Sequence, residues 1–515
     1  MTAASSAACK ISAMAQRVSA AFREAFPDGR LIVVSNRQPY VHQRGEAGDI
    51  VIESPAGGLS LALDPVLQAV GGLWVAWGHG DADRLVVDER DHLRVPPDEP
   101  AYSLRRLWLT DAEIEDYYLG FSNQGLWPLC HNILQHVRFR DRYWAEYRRV
   151  NLRFARAVAD ELGEDSGLVW FHDYHLALAP RRFRMLRREA VAAHFWHIPW
   201  PAWETFRVCP WKLAILEGLL GNDLLGFHLD SFANNFLDAC ERELGAFVDR
   251  KKQRVVHRGH VTHVADFPIS IDVRQFESLA ESAATRGIVA KIRDDLGLHG
   301  KRVGIGVDRL DYTKGIVERI EALRLLFQRY PELVEAFTFI QIAVPSRSEI
   351  PAYQTLEDEL DGKIEALNQA LATDSWKPVI TIKDSLPQSE LAAYYRLADM
   401  LVVSSIQDGM NLVVKEYVAC QGEAQPGAVC LSEFAGASEE LAHTLPVNPF
   451  YTQGFAEDLK RALDMPLEER RARMAAMKTE LAGSTIFDWM ARFLDAAGAA
   501  GADNLAHRPG AAARS

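Results

Sequence analysis

The sequence repeats one pattern over most of its length: a short apolar segment rich in β-branched or aromatic residues, a turn, and a longer segment with helical periodicity. Near-continuous apolar segments of this length are typical of strands in parallel sheets that are covered on both faces. Their alternation with helices predicts an α/β fold with right-handed crossover connections. Nine segments are predicted as strands, at residues 31–35, 168–171, 193–196, 224–227, 303–307, 337–343, 379–382, 400–404 and 428–431.

The length of the chain predicts more than one domain. A chain of 515 residues exceeds what one hydrophobic core usually organises, and about two to four domains are expected. A proline-containing segment at 266–272 follows a polar, basic stretch and is the best candidate for a boundary. The predicted organisation is a flexible extension at 1–28, two doubly wound domains at 29–267 and 268–480, a helix at 481–495 for which a return to the first domain is left open, and a flexible tail at 496–515.

Composition excludes several classes of protein. The chain has 57 Lys and Arg against 70 Asp and Glu, a formal net charge of −13, so it is not built to hold nucleic acid or an anionic membrane. Its apolar segments are only as long as strands, which predicts no membrane span. The six cysteines are scattered without close pairs, which favours a reduced, cytoplasmic compartment.

A basic loop follows the predicted strand at 303–307 and precedes a helical segment. It contains Arg309 and Lys314, with Gly315 next in sequence. An arginine and a lysine on either side of a strand-to-helix turn can clamp both phosphates of a diphosphate and stabilise the charge of a leaving group. The alternative is a solvated loop in which the two basic side chains pair with Asp308 and Asp311.

A second loop of this kind follows the predicted strand at 400–404. Gly409 and Asn411 open a helical segment there, and such a helix start offers main-chain N–H groups to an anion. Asp408 at the turn can accept hydrogen bonds from sugar hydroxyls, and Glu416 lies about 12 Å further along the helix axis. The two carboxylates can therefore contact opposite ends of one elongated ligand, or they are a helix cap and a surface acid.

Two sites in the first half of the chain are candidates for ligand binding. The first predicted strand ends at Arg37, and a later Gly57–Gly58 turn precedes a helical segment, an arrangement that suits a phosphate but is also typical of a plain tight turn. Histidines follow two further strands, in the segments 172–175 and 194–197. Their spacing would suit a metal, yet no third ligand is near in sequence, and buried core histidines are the competing interpretation.

One acidic motif is interpreted as having no functional role. Asp81 and Asp83 form a D-x-D pattern that some metal-dependent enzymes use. No apolar strand leads into the motif, so it is predicted to be solvated charge.

Taken together, these segments resemble the trehalose-6-phosphate synthase family of retaining glycosyltransferases, from about residue 31 to residue 493. The resemblance rests on sequence blocks that occur in order: VVSNRQPY, PAGGL, YYLGFSNQGLWPLCH, FHDYHLAL, FWHIPWP, GNDLLGFH, VDRLDYTKGI, AVPSR, QDGMNLVVKEYVACQ and LSEFAGASEEL. It implies a GT-B architecture, in which an N-terminal acceptor domain and a C-terminal nucleotide-sugar domain, both Rossmann-like, face a central cleft. The implied reaction is transfer of glucose from UDP-glucose, or a related nucleotide sugar, to glucose 6-phosphate with retention, without a metal or other cofactor.

The resemblance assigns roles to residues on the donor side. Arg309 and Lys314 match the diphosphate clamp, assisted by main-chain N–H groups around Asn411, Leu412 and Val413. Single positions are matched as follows: Glu416 to the acid on the donor ribose, Asp408 to the acid on the glucosyl hydroxyls, Gly58 to the glycine of the loop beside the diphosphate, and His197 to the histidine close to the transferred sugar.

On the acceptor side the resemblance implies a pocket for the sugar phosphate and one carboxylate for its hydroxyls. The pocket residues are Arg37, Tyr118, Trp127 and Arg347, and the carboxylate is Asp173. The implied catalytic set is Asp408, Arg309, Lys314, His197 and Asp173.

Departures from the family pattern leave alternatives open. Gln407 stands where many members have arginine, and residues 38–53 form a longer loop. The acceptor is glycerol 3-phosphate in the similar glucosylglycerol-phosphate synthases, and relatives without activity act as sugar-phosphate sensors. A phosphatase that acts on the product is expected to be a separate protein, because no apolar strand ends in a D-x-D-x-T pattern. The nucleotide, a homo-oligomeric state and regulation are left open.

Overall fold

The computed structural model describes residues 15–53 and 58–506, which divide into two compact units. The first unit contains the described residues up to Ile269 together with those from Ile486 onward. The second unit is Ser270–Thr485. Each unit is built on its own β-sheet with helices packed against it, as the alternating sequence pattern predicts.

Within the described residues, the sheet of the first unit has ten strands. In spatial order they are Phe247–Asp249, Arg254–His257, His260–Asp266, Leu224–Phe227, Val191–Phe195, Gly167–His172, Arg30–Val34, Leu73–Trp77, Tyr102–Leu107 and His92–Val95. The seven from His260–Asp266 to Tyr102–Leu107 are parallel, and the outer strands pair antiparallel. Numbered along the chain, these seven read 3-2-1-4-5-6-7 across the sheet, so the direction of strand order reverses between Arg30–Val34 and Gly167–His172.

The six described strands of the second unit's sheet are all parallel. In spatial order they are Val379–Ile382, Phe337–Val344, Arg302–Arg309, Met400–Val403, Ala428–Ser432 and Leu445–Val447. Numbered along the chain they read 3-2-1-4-5-6, the order of a Rossmann fold. The reversal lies between Arg302–Arg309 and Met400–Val403, and such a switch point is where this fold binds ligands.

Helices cover both sheets. The α-helices of the first unit are residues 15–25, Gly58–Val70, Asp111–Glu113, Trp127–Cys130, Asp141–Leu162, Ala179–Leu186, Trp203–Phe206, Lys212–Leu219, Asp230–Leu244 and Ile486–Ala506, and Ile114–Leu126 is a π-helix. The α-helices of the second unit are Val273–Glu281, Ala283–Asp295, Ile316–Arg329, Pro351–Leu371, Gln388–Leu397, Leu412–Cys420, Thr452–Asp464 and Leu467–Ala482. Short 3₁₀ turns lie at Asp83–Leu85, Leu134–His136, Tyr174–Leu176, Tyr312–Lys314, Pro331–Leu333 and Gly436–Glu439. In the described part of the chain, no helix has both the length and the apolar character to cross a membrane.

All nine predicted strands are present, each within two residues of its predicted bounds. The sequence missed three of the seven parallel strands of the first sheet: Leu73–Trp77, Tyr102–Leu107 and His260–Asp266. The second of these alternates buried and half-buried residues, with two arginines among them, and so lacks a continuous apolar run.

The two ends of the described chain are ordered helices where flexible segments were predicted. Val18 and Phe22 of the helix at residues 15–25 are buried. The helix Ile486–Ala506 extends well into the predicted tail and packs on the first sheet, where the Phe493 ring stacks on Trp170 with centroids 4.3 Å apart. The Ala and Gly residues of this helix allow it to pack closely on the sheet, since a Cβ added at Gly501 would lie 2.6 Å from Val191.

The segment 38–53 forms a β-hairpin, Val41–Arg44 against Ile50–Glu53. The motif at residues 81–83 binds this hairpin. The prediction that the motif is solvated charge was therefore wrong. Asp83 is fully buried, accepts a hydrogen bond from the His42 main-chain N–H at 2.9 Å, and pairs with the buried Arg106 at 2.9 Å. Burial opposes ionisation of Asp83, but these hydrogen bonds and the charge of Arg106 lower its pKa to about 2.

Candidate active site

The predicted residues of the second unit gather at the switch point of its sheet. Arg309 is the last residue of the strand Arg302–Arg309, and Lys314 ends the 3₁₀ turn that follows. Asp408 lies in the loop after the neighbouring strand Met400–Val403. Because these two strands are adjacent and parallel, the two loops meet at the same edge of the sheet.

Lys314 and Asp408 are in direct contact, with Lys314 Nζ donating to Asp408 Oδ2 at 2.5 Å. Ser405 Oγ and Asn411 Nδ2 donate to the same oxygen, each at 3.3 Å. The lysine therefore does not form the pair with Asp308 or Asp311 that a solvated loop would need. A partly exposed ammonium held beside a carboxylate is suited to exchange that partner for a phosphate.

Glycine is required after Lys314. Gly315 has φ 59°, in the left-handed region, and a Cβ there would lie 2.0 Å from the Ser404 carbonyl oxygen. The turn can approach the neighbouring strand end this closely only without a side chain.

The helix Leu412–Cys420 presents its N-terminus at the same edge. Asn411 caps it by accepting a hydrogen bond from the Val414 N–H at 3.1 Å, and has φ 106°. The first N–H groups of a helix have no acceptor within the helix, and they carry the positive end of its dipole. Leu412 and Val413 supply two of these groups, so the helix start suits an anion.

Glu416 lies one turn into this helix and is largely buried. Tyr395 Oη donates to Glu416 Oε2 at 2.8 Å. Burial raises the pKa of Glu416 to about 7, and the hydrogen bond from Tyr395 only partly opposes this. The carboxylate is therefore held as a hydrogen-bonding group whose charge changes near neutral pH.

Behind the loops lies a fully buried arginine that the sequence analysis missed. Arg319 donates from Nη1 to Asp308 Oδ2 at 2.7 Å and to Gln341 Oε1 at 2.8 Å, and from Nε to Ser404 Oγ at 3.0 Å. Ser404 Oγ in turn lies 2.8 Å from the carbonyl of Gly315. Asp308 thus pairs with Arg319 and leaves Arg309 and Lys314 to other roles.

Arg347 is buried and lies in the loop after the strand Phe337–Val344, with φ 54°. Its Nη1 donates to Asp311 Oδ2 at 3.2 Å and to Tyr353 Oη at 2.5 Å. Asp311 therefore pairs with Arg347. Tyr353 and Asp311 were not singled out as functional, and only their proximity in space identifies them.

In the first unit, Arg37 and Tyr118 are brought together. Arg37 follows the strand Arg30–Val34, and its Nη2 donates to Tyr118 Oη at 3.2 Å. Tyr118 lies in the π-helix Ile114–Leu126, and its ring stacks on His175 with centroids 5.8 Å apart. Wide helical turns of this kind occur mostly at functional sites.

Trp127 follows the π-helix and is nearly fully buried. Its ring lies 4.2 Å from His131 and 5.7 Å from Tyr174, measured between centroids. An aromatic and imidazole surface therefore surrounds this predicted acceptor residue.

Asp173 follows the strand Gly167–His172, on the other side of the switch point from Arg37. Its φ is 69°, and this conformation is held by its N–H, which donates to the Phe195 carbonyl at 2.7 Å, and by its own carbonyl, which lies 3.0 Å from His194 Nε2. Non-glycine residues in such conformations cost about 1–3 kcal/mol and cluster at active sites.

Four histidines lie together near Asp173, three of them buried and His197 half-buried. His172 Nδ1 lies 3.1 Å from His197 Nε2, the His228 ring centroid is 5.6 Å from that of His197, and His194 lies on the adjacent strand. Burial lowers the pKa of His172 and His197 well below the usual range, and that of His194 to about 3. All three are neutral at pH 7, and no cluster in the described residues could hold a metal ion.

Gly58, the last of the predicted donor residues, is described only as the first residue of the helix Gly58–Val70. The rest of the Gly-Gly loop, residues 54–57, lies outside the described residues.

Two Rossmann-type sheets, each with polar groups at its switch point, form an arrangement in which α/β proteins commonly bind nucleotides. The chain matches the model of Glycosyltransferase family 20 over residues 29–498, and it belongs to that family. The match confirms the predicted family and the enzyme class, a glycosyltransferase.

Proteins of similar sequence align with this chain over nearly its whole length. A trehalose-6-phosphate synthase of Mycobacterium sp. (strain KMS) is 36% identical, and the alignment covers 91% of this chain and 95% of the relative. A trehalose-6-phosphate synthase of Mycobacterium marinum is also 36% identical, over 93% of this chain and 96% of the relative.

Solved structures agree in fold. A UDP-forming trehalose-phosphate synthase of Burkholderia xenovorans in complex with glucose-6-phosphate is 33% identical, with a TM-score of 0.82, over 90% of this chain and 99% of that chain. An E. coli structure bound with UDP-2-fluoro glucose is 31% identical, with a TM-score of 0.81, over 91% of this chain and 99% of that chain. The predicted fold class, an α/β fold of GT-B type built on two Rossmann-like sheets, is confirmed.

Proposed function

We propose that this glycosyltransferase moves glucose from UDP-glucose to glucose 6-phosphate and releases trehalose 6-phosphate and UDP. The observation that carries the proposal is the contact between Lys314 and Asp408 at the switch point, beside a capped helix N-terminus. The similar proteins are trehalose-6-phosphate synthases, and solved relatives hold a UDP-sugar analogue and glucose 6-phosphate.

The second unit is proposed to bind the donor. Arg309 and Lys314 clamp the diphosphate, and the N–H groups from Asn411 to Val413 bind its oxygens. Glu416 accepts hydrogen bonds from the ribose, and Asp408 from the glucosyl hydroxyls. When the diphosphate arrives, Lys314 turns from Asp408 towards it, which leaves Asp408 oxygens for the sugar. Gly58 is proposed to belong to the loop beside the diphosphate.

The acceptor side of the proposal follows the residues that the resemblance assigns. Arg37, Tyr118, Trp127 and Arg347 bind the sugar phosphate, and Asp173 orients its hydroxyls. His197 contacts the transferred glucose as a neutral imidazole, which can donate a hydrogen bond without adding charge.

The proposed chemistry retains configuration and uses no metal, cofactor or carboxylate nucleophile. The bond between the anomeric carbon and the diphosphate oxygen breaks, and the acceptor oxygen bonds to the same face. The acceptor proton passes to the leaving phosphate oxygen. The protein therefore acts by positioning the substrates and by stabilising negative charge on the diphosphate.

The proposed cellular compartment rests on the cysteines. The enzyme is proposed to act in the cytoplasm, where scattered cysteines stay reduced, and the five cysteines that the structure describes are buried and unpaired. A separate phosphatase is proposed to consume the product.

The test is nucleotide release by the purified protein. UDP-, GDP- and ADP-glucose are each offered with glucose 6-phosphate or with glycerol 3-phosphate. Release of UDP with glucose 6-phosphate is expected. Release with glycerol 3-phosphate alone would contradict the proposal, and binding without release would indicate a sensor.

A variant pair tests the clamp. Arg309→Ala is expected to lower kcat by about 10²–10³-fold, the usual effect of removing a donor that stabilises developing charge. Arg324→Ala is the matched control, because Arg324 is exposed on the next helix and bonds Glu321. Equal activity of the two variants would refute the clamp.

A further inference from the structure

Arg347 and Lys314, the two basic groups assigned to different substrates, are connected through one carboxylate. Asp311 Oδ2 accepts from Arg347 Nη1 at 3.2 Å. Its other oxygen, Oδ1, accepts from the main-chain N–H of Thr313 at 3.0 Å and so caps the turn that ends at Lys314. The Lys314 N–H also donates to the Asp311 carbonyl at 3.0 Å.

The hydroxyl of Tyr353 closes this arrangement. Tyr353 Oη donates to Asp311 Oδ2 at 2.9 Å and accepts from Arg347 Nη1 at 2.5 Å. The arginine, the carboxylate and the phenol therefore form a triangle, and all three side chains are nearly inaccessible to solvent. Charges in such surroundings are screened far less than surface charges, so a change at one corner is felt at the others.

Main-chain hydrogen bonds also hold the two loops in place. The strands that precede the two loops pair in parallel through Arg309 and Val344, and the Leu310 N–H donates to the Val344 carbonyl at 2.7 Å. Only Asp311 then separates this paired strand end from the turn that holds Lys314. A shift of the Asp311 carboxylate must therefore move the guanidinium, the turn, or both.

We propose that Asp311 is a positioning residue that couples the two phosphate subsites, holding the acceptor-binding Arg347 with one carboxylate oxygen and setting the donor-binding Lys314 with the other. The inference rests on the proposed function, because that assigns Arg347 to the sugar phosphate and Lys314 to the diphosphate. A purely structural ion pair would stabilise the fold without linking the two substrates. Coupling of two binding sites is reciprocal, so each ligand should strengthen binding of the other by the same factor.

The experiment measures UDP binding by calorimetry with and without saturating glucose 6-phosphate, together with KM for both substrates. In the wild type, glucose 6-phosphate is expected to tighten UDP binding about 5-fold or more. In Asp311→Asn this factor should fall towards 1, and both KM values should rise about 10-fold, because a charged hydrogen bond is weakened at each site.

Asp399→Asn is the matched control. The Asp399 carboxylate accepts from the Val303 N–H at 2.9 Å, at the opposite end of the strand that leads to Asp311. It should lower the melting temperature while leaving the coupling factor and both KM values unchanged. Tyr353→Phe keeps both charges and removes only the shared hydroxyl, so it should reduce the coupling factor even if Asp311→Asn does not fold. Tyr417→Phe is its control, since that hydroxyl bonds the Ala398 carbonyl.

The outcomes separate the two proposals. Absence of turnover in the wild type would overturn the proposed function and this inference with it. Normal turnover, with a coupling factor that Asp311→Asn or Tyr353→Phe leaves unchanged, or a rise in only one KM, would overturn the inference alone.

Discussion

Each unit contains a fully buried arginine–aspartate pair beside residues of its site, and the two pairs differ in what they hold. Arg106 in the first unit pairs with Asp83 at 2.9 Å. Arg319 in the second unit pairs with Asp308 at 2.7 Å. Both arginines have no solvent exposure, so both charges depend on their protein partners.

Arg106 holds main chain as well as side chains, among them His42, whose Nδ1 lies 2.8 Å from Arg106 Nη2. Its nitrogens donate to the carbonyls of Asp83 and Tyr40, each at 3.0 Å, and its Nε donates to Gln38 Oε1 at 2.7 Å. These bonds fix the segment directly after Arg37 and the hairpin that continues from it. The pair therefore determines the path of the chain, and its loss should be felt as loss of stability.

Arg319 holds mainly side chains. Its partners are Asp308 and Gln341, on two adjacent strands, and Ser404, directly after a third, and Nη2 has no hydrogen-bond partner in the structure. Its side chain reaches the main chain of the Lys314 turn through Ser404, whose Oγ donates to the carbonyls of Lys314 and Gly315. Two similar buried pairs therefore have different roles: Arg106 stabilises the fold, and Arg319 positions the residues of the site.

The largest expected effect is on stability, from Arg106→Met. It leaves the Asp83 charge buried without its partner, which costs about 3–5 kcal/mol. Differential scanning calorimetry should show a large fall in melting temperature. Removing both charges, in Arg106→Met with Asp83→Asn, should recover part of the loss, and a double variant no better than the single one would show that the ion pair is not the cause.

A smaller effect on stability, but a clear one on turnover, is expected from Gly306→Ala. The added Cβ would lie 2.1 Å from Arg319 Nη1 and must displace the guanidinium. A displacement of about 1 Å at a supporting residue can cost about 100-fold in rate. The measurement is kcat/KM for nucleotide release.

Gly304→Ala is the control for this prediction. Gly304 lies two residues earlier on the same strand, and its added Cβ would meet the rings of Phe339 and Phe337 at 2.7 and 2.8 Å. It should destabilise the unit comparably and retain more activity. Equal loss of activity in both variants would mean that any disturbance of this strand is sufficient, and the placement role of Arg319 would be lost.

The sequence could predict the turns of the site, because long apolar strands end where those turns begin. Arg309 and Asp408 were identifiable for this reason. The supporting arginines carried weaker signals: Arg106 lies on the buried face of an alternating strand, and Arg319 lies between Ile316 and Leu323 on the apolar stripe of its helix. An arginine at a position where the pattern calls for an apolar residue could have predicted a buried ion pair.

Other features could not be read from one chain. Asp83 was interpreted as solvated because nothing in sequence shows that Arg106 lies opposite it. The triangle of Asp311, Arg347 and Tyr353 joins three separate segments and exists only in space. The extension of the C-terminal helix to Ala506 was missed because small residues are typical both of loose tails and of close helix packing.

A moderate effect with a definite sign is expected from pH. The pKa of Glu416 is raised to about 7 from its ordinary 4.5, chiefly by burial. Its contribution to stability is therefore fully present below pH 4.5 and is lost as pH rises through 7. Donor binding should change in the opposite direction, because the ionised carboxylate accepts the ribose hydrogen bonds better.

The measurement is KM for UDP-glucose and the melting temperature between pH 6 and pH 8. In the wild type both should fall as pH rises. Glu416→Gln has no charge to gain, so both dependences should flatten and its KM should be higher at pH 8. A pH dependence that persists in Glu416→Gln would assign the titration to another group.

The smallest effect is expected from a pair with similar geometry but no burial. Arg142 Nη2 lies 3.1 Å from Glu115 Oε1, with side chains 52% and 62% exposed, and its Nε lies 3.4 Å from Asp116 Oδ1. Water solvates the exposed charges of this pair after either is removed, so Arg142→Met should lower the melting temperature far less than Arg106→Met does. Calorimetry of the two variants under one set of conditions compares them directly. If they proved equal, burial would not be what distinguishes these pairs, and the role given to Arg106 would have to rest on its main-chain contacts alone.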